Sequence, residues 1–292
     1  MALKVSTQVI NLSGTDVKKI KFLTFSSIHD NGIGGFWTPA SLIQKETGAR
    51  NAIALSLTQG CNSLAYAVLT ASKMISAQEE ALVVSSEKFS GTEFNRWSSD
   101  AGVLYGDAAV AVLLSKIKGI ACIRYLDAIS VPELEGMHRG ENFQTELSER
   151  WNIANHKYKW MERNGRNMFF DLMKNAISIA LKRLKHAGYA EPHSHSIVVM
   201  PFVGKSILEN LYEPSFAFLG YQTMRSFGMN TGHTGPGDQF LGLERFLSTT
   251  SEVSGRKTAL LIGAGAGFTL TVMVIEISKY NSQHNGLVNI IH

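Results

Sequence analysis

The sequence repeats one pattern of apolar segments in its two halves, and this repeat constrains the fold more than any other feature. The segment KKIKFLTF around Ile20 is similar to HSIVVMPF around Ile197, which lies 177 positions later (197 − 20). The segment EEALVVSSE around Ala81 is similar to KTALLIGAG around Ala259, 178 positions later (259 − 81). This nearly constant offset predicts two copies of one β–α unit around a pseudo-twofold axis. Strands that alternate with helices favour mostly parallel sheets covered by helices.

The repeat predicts an N-terminal half, 1–142, and a C-terminal half, 166–292. Between them lies the polar and aromatic segment 143–165, which has no clear core face and which we interpret as a surface excursion or connection. The glycine-rich segment 228–237 is predicted to be a loop, and the polar tail from Ser278 is predicted to be frayed.

The composition narrows the classes of function. The chain has 292 residues, of which 45% are hydrophobic, and this is enough apolar material for a sizeable core. The net charge of +4 is compatible with an anionic ligand such as phosphopantetheine or an acidic carrier protein, and equally with a slightly basic protein that binds neither. Because no basic run with interleaved aromatic residues occurs, nucleic-acid binding is not expected. The two cysteines cannot form a disulfide framework, and no metal-ligand spacing is present.

Two long stretches without charge, 51–72 and 258–275, have the length of a membrane span. The first contains Gln59 and Asn62, and the second contains GAGAG and several threonines, so both are interpreted as elements buried in protein. The N-terminal stretch MALKVSTQVINLSG lacks the apolar region of a signal peptide. We therefore expect no membrane association and a cytoplasmic location.

Cys61 lies in the sequence QGC, between a predicted strand at 52–57 and a predicted helix at 62–77. A thiol at a helix N-terminus experiences the positive end of the helix dipole, which favours the nucleophilic thiolate. A buried structural cysteine is the competing interpretation. That interpretation suits Cys122, which lies in the apolar run IACI, better than it suits Cys61.

The sequence TGHTGPGDQFLGLERFL places His233 and Asp238 five residues apart in a glycine-rich stretch. A general base needs a carboxylate that orients its ring and stabilises its cation, and Asp238 could supply one. Alternatively, Asp238 is the N-cap of the helix that follows and His233 is a plain loop histidine. His233 lies 172 positions after Cys61 (233 − 61), close to the offset of the repeat, so the two side chains are expected to face one another.

The sequence GAGAGF, residues 263–268, offers backbone N–H groups without large side chains. Such donors can stabilise an oxyanion, although a tight turn between two strands explains the pattern equally simply. A dinucleotide-binding function is not favoured, because the motif is followed by the β-rich FTLTVMVIEI rather than by a helix.

Together, four stretches resemble the thiolase-like superfamily, and specifically its ketoacyl-carrier-protein synthase III group. They are KETGARNAIALSLTQGCNSLAYAV, YGDAAVAVLLS, FGMNTGHTG and GAGAGFTLTVMV. The resemblance covers most of the chain from Val17 to Ile277 and implies an α/β fold, a five-layered αβαβα duplication. The family begins with a strand and a helix ahead of the segment at Val17, and MALKVSTQV resembles the end of that helix. The resemblance therefore implies a fold without the first strand and helix, or a missing element that another chain supplies.

The resemblance also implies roles for individual residues. Cys61 matches the cysteine that carries the acyl group. The histidine of the family's Pro-His pair is replaced here by Phe202, and Asn230 matches the family's active-site asparagine only loosely. The stretch GHTGPGDQ is similar to a divergent natural-product branch that transfers acyl groups, with a histidine and an aspartate at the positions of His233 and Asp238. By the same resemblance, the turn residues Ala266 and Gly267 and the N–H of Cys61 are expected to contact the substrate and the oxyanion that forms during the reaction.

These roles imply an acyltransferase of secondary metabolism, such as polyketide biosynthesis, that works through an acyl-cysteine intermediate. Acyl-CoA or an acyl carrier protein would be the donor and a small molecule the acceptor, with no tightly bound cofactor and no metal. The family implies a homodimer. Two alternatives are a decarboxylative condensing enzyme of the synthase III type and a catalytically silent subunit of a heterodimer.

Overall fold

The computed structural model describes residues 1–29, 36–117, 119–140, 151–249 and 257–277, together with the backbone of residues 289–291. The described strands are β1 (Ile20–Ser26), β2 (Ile53–Ser56), β3 (Glu80–Glu87), β4 (Ala108–Ser115), β5 (Ala121–Ser130), β6 (Ile197–Val199), β7 (Lys257–Gly265), β8 (Thr269–Ile277) and β9 (Asn289–Ile291). The described helices are α1 (Ala2–Ser13), α2 (Pro39–Thr47), α3 (Ser63–Met74), α4 (Gly136–Arg139), α5 (Ile153–Asn164), α6 (Met168–His186), α7 (Lys205–Ile207), α8 (Glu213–Phe216), α9 (Arg225–Thr231) and α10 (Asp238–Thr249).

The strands pair in the order β2-β1-β3-β4-β9-β5-β8-β7-β6. Strand β1 runs parallel to β3, which pairs antiparallel with β4. The second half repeats this pattern, since β6 runs parallel to β7 and β7 pairs antiparallel with β8. The two halves therefore have the same strand pairing, as the segment offsets predict. The backbone of β9 joins the halves by pairing parallel with β4 and β5, although the tail was predicted to be frayed. Residues 278–288 and 292 of that tail lie outside the described residues.

The central strands are buried on both faces, which explains their uninterrupted apolar sequences. Side chains alternate between the two faces of a strand. In β3, Ala81 and Val83 pack in one apolar cluster and Leu82 in another. In β7, the consecutive residues Leu260 and Leu261 are divided between two clusters in the same way.

These clusters define five layers. Helices α3 and α10 lie in the middle and contribute Leu64, Val68 and Phe240 to a core that both half-sheets share. On the outer side of the first half-sheet lie α1 and α2, and on the outer side of the second lie α6 and α8. The resulting order of helix, sheet, helix, sheet and helix confirms the predicted αβαβα architecture.

The prediction of a loop over 228–237 is wrong at its start, because α9 extends to Thr231. Gly228 lies inside this helix for a packing reason: a Cβ atom there would lie 2.5 Å from Cδ1 of Phe202. The glycine therefore lets the helix approach the Phe202 ring closely. A left-handed Gly232, with φ +77°, then ends the helix.

The segment 143–165, interpreted as a surface excursion, is described from residue 151 onwards. There it forms α5, a helix whose side chains are partly buried, among them His156 and Lys157. Residues 143–150 lie outside the described residues, and the division of the chain at 142 and 165 stays a prediction.

Candidate active site

The turn that carries Cys61 joins β2 to α3. Gly60 adopts a left-handed conformation with φ +54°, which a glycine tolerates without strain. The hydroxyl of Ser63 braces the turn, because it donates to the carbonyl oxygen of Gly60 (2.6 Å) and accepts from the N–H of Gln59 (2.6 Å). Cys61 is half-buried and lies just ahead of the first turn of α3, as the sequence predicts.

The side chain of Asn62 ties this turn to the second half of the molecule. Its Nδ2 donates to the hydroxyl of Thr269 (3.1 Å), and its Oδ1 accepts from the hydroxyl of Thr271 (2.8 Å). All three side chains are buried. Both threonines belong to β8, so the position of Cys61 is set by hydrogen bonds across the two halves.

The GAGAGF sequence forms the end of β7 and the turn into β8, and this turn packs against Gly60. A Cβ atom on Gly60 would lie 2.9 Å from the backbone nitrogen of Ala266 and 3.0 Å from its oxygen. Gly267, with φ +124°, packs against the amide of Gln59. The backbone of Ala266 is therefore held beside the residue that precedes Cys61.

His233 and Asp238 form a buried pair. Nδ1 of His233 lies 2.6 Å from Oδ2 of Asp238, and both side chains are almost fully buried. The carboxylate accepts three more hydrogen bonds, each of 2.8 Å, from the N–H of Phe202 and from the N–H and hydroxyl of Thr234. These donors fix the carboxylate, which in turn fixes the imidazole and leaves its Nε2 free to face the thiol.

The His233 loop is attached to the start of β4 by backbone hydrogen bonds. The N–H of His233 donates to Leu104 (2.7 Å), and the N–H of Gly106 donates to the carbonyl of His233 (2.9 Å). A Cβ atom on Gly106 would lie only 2.2 Å from the carbonyl oxygen of Thr231. The YGD sequence therefore holds the His233 loop in place.

The electrostatic environment of His233 favours its cation. Burial by itself lowers the pKa of this imidazole, but the charge of Asp238, the charge of Cys61 and hydrogen bonds to both raise it, and the net pKa lies well above its usual value. The thiol of Cys61 is therefore close enough to act on His233. Cys61, His233 and Asp238 form one row, in which each pair of neighbours interacts.

The other candidates from the sequence lie in different surroundings. Asn230 is exposed on α9 and is not part of this row. Phe202 is buried in the central core, where its ring packs edge-on against Phe227 at 5.7 Å. Its ring carries no hydrogen-bonding group, and only its backbone N–H reaches Asp238.

A buried polar group that the sequence analysis missed lies beside His233. The ring of Tyr105 packs against the His233 ring, with 5.3 Å between centroids, and its hydroxyl donates to Oδ2 of Asp100 (2.7 Å). The other oxygen of Asp100 forms an ion pair with Nζ of Lys157 on α5. Burial, together with the charges of Asp100 and Cys61, raises the pKa of Tyr105 well above its usual value, so its hydroxyl stays protonated. Tyr105 begins the stretch YGDAAVAVLLS, which contributes to the family resemblance, whereas no sequence pattern marks Asp100 or Lys157.

A surface groove of about 330 Å³ lies next to this site. Its lining includes Asp100, Leu104, Phe202, Ser206 and Gly232, and Gly232 directly precedes His233.

Comparisons with known proteins find relatives of this chain and solved structures that share its fold. Residues 55–125 match the family model of 3-oxoacyl-[acyl-carrier-protein] synthase III. The chain is 24% identical over 287 residues to beta-ketoacyl-[acyl-carrier-protein] synthase III of Streptococcus agalactiae, covering 95% of this chain and 84% of the relative. Among solved structures, the acyltransferase ChlB3 superposes with a TM-score of 0.85 at 24% identity, covering 96% of this chain and 85% of ChlB3. Synthase III of Aquifex aeolicus superposes with a TM-score of 0.70 at 17% identity, covering 96% and 83%.

The chain has the thiolase-like fold of these structures. The matched residues include the Cys61 turn, α3, β3 and β4 of this thiolase-like chain. Within its described residues, no group of three or more His, Cys, Asp or Glu side chains is arranged to hold a metal ion. No helix in the part that the structure describes is both long and apolar enough to cross a bilayer.

Proposed function

We propose that this thiolase-like protein is an acyltransferase that moves an acyl group from a thioester donor, through Cys61, to a hydroxyl, amine or thiol acceptor. The row formed by Cys61, His233 and Asp238 is the observation that carries this proposal. A thiol beside a buried imidazole that is oriented by a carboxylate is the arrangement that activates a nucleophile. The structural similarity to ChlB3, whose name describes an acyltransferase, supports the same activity.

In the first step, the thiolate of Cys61 attacks the carbonyl carbon of the donor thioester. The bond between that carbon and the donor sulfur then breaks. His233, which is cationic beside Asp238, gives its Nε2 proton to the leaving thiolate, so that a neutral thiol departs. The products are an acyl-Cys61 thioester and a neutral His233.

In the second step, the neutral imidazole removes the proton of the acceptor as the acceptor attacks the acyl-Cys61 carbonyl. The bond from carbon to Sγ breaks, and the thiolate of Cys61 is restored beside the His233 cation. Acylation removes the negative charge of Cys61, which is one of the causes that raise the pKa of His233. In the acyl-enzyme a larger share of His233 is therefore neutral and able to accept the proton of the acceptor.

Both steps pass through a tetrahedral oxyanion, for which we propose the N–H groups of Cys61 and Ala266 as donors. The close packing of Ala266 on Gly60 supports this pair. Preorganised N–H donors of this kind are typically worth a factor of about 10²–10³ in kcat. Gly267 contributes through its conformation, which lets the turn pass beside Gln59.

The groove bounded by Phe202, Ser206 and Gly232 is the proposed path for the phosphopantetheine arm of a CoA or carrier-protein donor. The names of the relatives, which are carrier-protein synthases, support this class of donor. A homodimer in secondary metabolism, without a tightly bound cofactor, is part of the same proposal. Light scattering of the purified chain measures its oligomeric state.

A condensing enzyme is the second candidate, because the comparisons include AbyA1, described as a tetronic acid condensing enzyme, with a TM-score of 0.67. Phe202 argues against decarboxylative condensation, since its ring has no donor for a developing enolate. A malonyl thioester tests this candidate directly. Release of CO₂ that depends on His233 would favour condensation over simple acyl transfer.

Intact-protein mass spectrometry tests the proposed function. After incubation with acyl-CoA or acyl N-acetylcysteamine thioesters, we expect one acyl adduct that Cys61→Ala abolishes. Cys122→Ala is the matched control, because Cys122 lies half-buried in β5, and it should keep the adduct. Absence of an adduct with every donor would instead support a silent subunit.

A further inference from the structure

His138 has a buried nitrogen without a partner. Its Nε2 atom is shielded from solvent and has no hydrogen-bond partner in the described part of the chain. Buried polar atoms in proteins are nearly always hydrogen-bonded, and each exception calls for an explanation such as a missing ligand. Leaving such an atom unpaired costs free energy that a bound polar group would recover.

The position of His138 connects it to the candidate active site. It lies on α4, and its ring packs edge-on against the ring of Phe268 with 5.0 Å between centroids. Phe268 belongs to the turn that carries Ala266, only two residues away. The N–H of Val131, shortly before α4, donates to the carbonyl of Phe268 (2.8 Å) and fixes this end of α4 to the turn.

Polar side chains near His233 also act on His138. Asp100 binds Lys157 and the hydroxyl of Tyr105, and the ring of Tyr105 packs on His233. The charges of Lys157, Asp100 and His233 all act on the His138 imidazole. The polar surroundings of His233 therefore also influence His138.

The backbone of His138 is held firmly. Its carbonyl oxygen lies 2.8 Å from Nδ1 of His156 on α5. The ring of His156 also packs closely against Gly140, where a Cβ atom would lie 3.1 Å away. The imidazole of His138 thus projects from a fixed backbone, as a specificity-determining side chain requires.

The imidazole of His138 is neutral over the ordinary pH range. Burial and the charge of Lys157 lower its pKa to about 3. A neutral imidazole can donate one hydrogen bond or accept one, but it offers no charge to a carboxylate. The charge of Lys157 is already paired with Asp100. The partner that suits Nε2 is therefore an uncharged oxygen.

We propose that Nε2 of His138 binds a hydroxyl or keto oxygen on the acyl group that Cys61 carries. This inference rests on the proposed acyl transfer and assigns its substrate class: an acyl chain with an uncharged oxygen substituent, rather than a plain alkyl chain. A plain alkyl chain would cover Nε2 without satisfying it. Sites that hydrogen-bond a substrate group discriminate strongly against analogues that lack the group.

A matched set of thioesters tests the proposal. Hexanoyl N-acetylcysteamine is compared with its 3-, 4- and 5-hydroxy and 3-, 4- and 5-oxo derivatives, and the rate of acyl-Cys61 formation is followed by intact-protein mass spectrometry. We expect at least one oxygenated member to react about tenfold faster than hexanoyl or more, since one net hydrogen bond corresponds to roughly this factor.

Variants then assign the preference to His138. In His138→Phe the ratio of the oxygenated to the plain substrate rate should fall to about one, and His138→Gln should restore part of this ratio. His186→Phe is the matched control, because His186 is exposed on α6, and it should keep the wild-type ratio.

Three outcomes would overturn the inference. Equal rates for all thioesters with the wild-type protein, which requires no variant to fold, would remove it while leaving the acyltransferase in place. A preference that His138→Phe leaves unchanged would remove it as well. Absence of any adduct would overturn the proposed acyl transfer itself, and this inference with it.

Discussion

Gly60 and Ala266 meet backbone to backbone, although they come from opposite halves of the duplicated fold. A Cβ atom on Gly60 would lie only 2.9 Å from the backbone nitrogen of Ala266. This contact places the N–H of Ala266 beside the turn that carries Cys61. The two halves therefore build the proposed oxyanion site together.

Gly60→Ala tests this contact. The substitution forces a non-glycine residue into φ +54° and presses a methyl group against backbone atoms that cannot move aside. Gly91→Ala is the matched control, because Gly91 has φ +72° with nothing within 4 Å of its would-be Cβ. We expect Gly91→Ala to cost about 1 kcal/mol of unfolding free energy, and Gly60→Ala to cost about 1–3 kcal/mol more. Urea unfolding measures both, and equal losses would contradict the close approach.

The substitution Asp238→Asn tests whether the charge of Asp238 raises the pKa of the His233 imidazole. The charge of Asp238 raises the pKa of His233, so its removal should lower that pKa and slow acyl transfer by a factor of about 10²–10⁴. A raised histidine pKa stabilises the fold fully below the unfolded value of about 6.5 and loses this contribution as the pH rises through the folded value. The wild-type protein should therefore lose stability over that alkaline window, and Asp238→Asn should lose less. NMR titration of His233 and Tm measurements against pH provide the readouts.

The contribution of His138 to folding stability is expected to depend on pH in the opposite direction to that of His233. Its pKa is lowered to about 3 in the folded protein, so the unfolded chain binds a proton at higher pH than the folded chain does. Its contribution to stability is complete above about pH 6.5 and is lost as the pH falls towards 3. His138→Gln cannot take up this proton and should show a shallower decline of unfolding free energy with falling pH. Parallel curves for the two proteins would show that His138 titrates normally.

Asp100 and Lys157 form a buried ion pair. Substitutions of the two residues are therefore expected to change the free energy of unfolding in a strongly non-additive way. Lys157→Met leaves the carboxylate of Asp100 buried beside the Tyr105 hydroxyl without its cation, and should cost about 3–5 kcal/mol of unfolding free energy. The double variant Asp100→Leu with Lys157→Met removes both charges and should recover much of this loss. A double-mutant cycle in denaturant measures the coupling, and additive losses would rule it out.

Much of the fold was predictable from the sequence, because strands buried on both faces need uninterrupted apolar segments and the two copies carry such segments at a constant offset. The Cys61 turn was predictable for a local reason: a glycine and a cysteine lie between an apolar strand pattern and a helix pattern in the sequence. The extent of α9 was not predictable, because a glycine such as Gly228 is typical of a loop. Only the structure shows that the ring of Phe202 fills the space that a side chain at position 228 would need.

Local chemistry in the sequence determined the candidates Cys61, His233 and Asp238 and the duplicated layers that hold them. Only the tertiary structure decided that these three side chains form one row, that Asn230 lies outside it, and that Asp100 and Lys157 are linked to it through Tyr105. Asp100 and Lys157 are 57 positions apart. Such a contact depends on how α5 packs across the site, and periodicity within one segment carries no information about packing between distant segments.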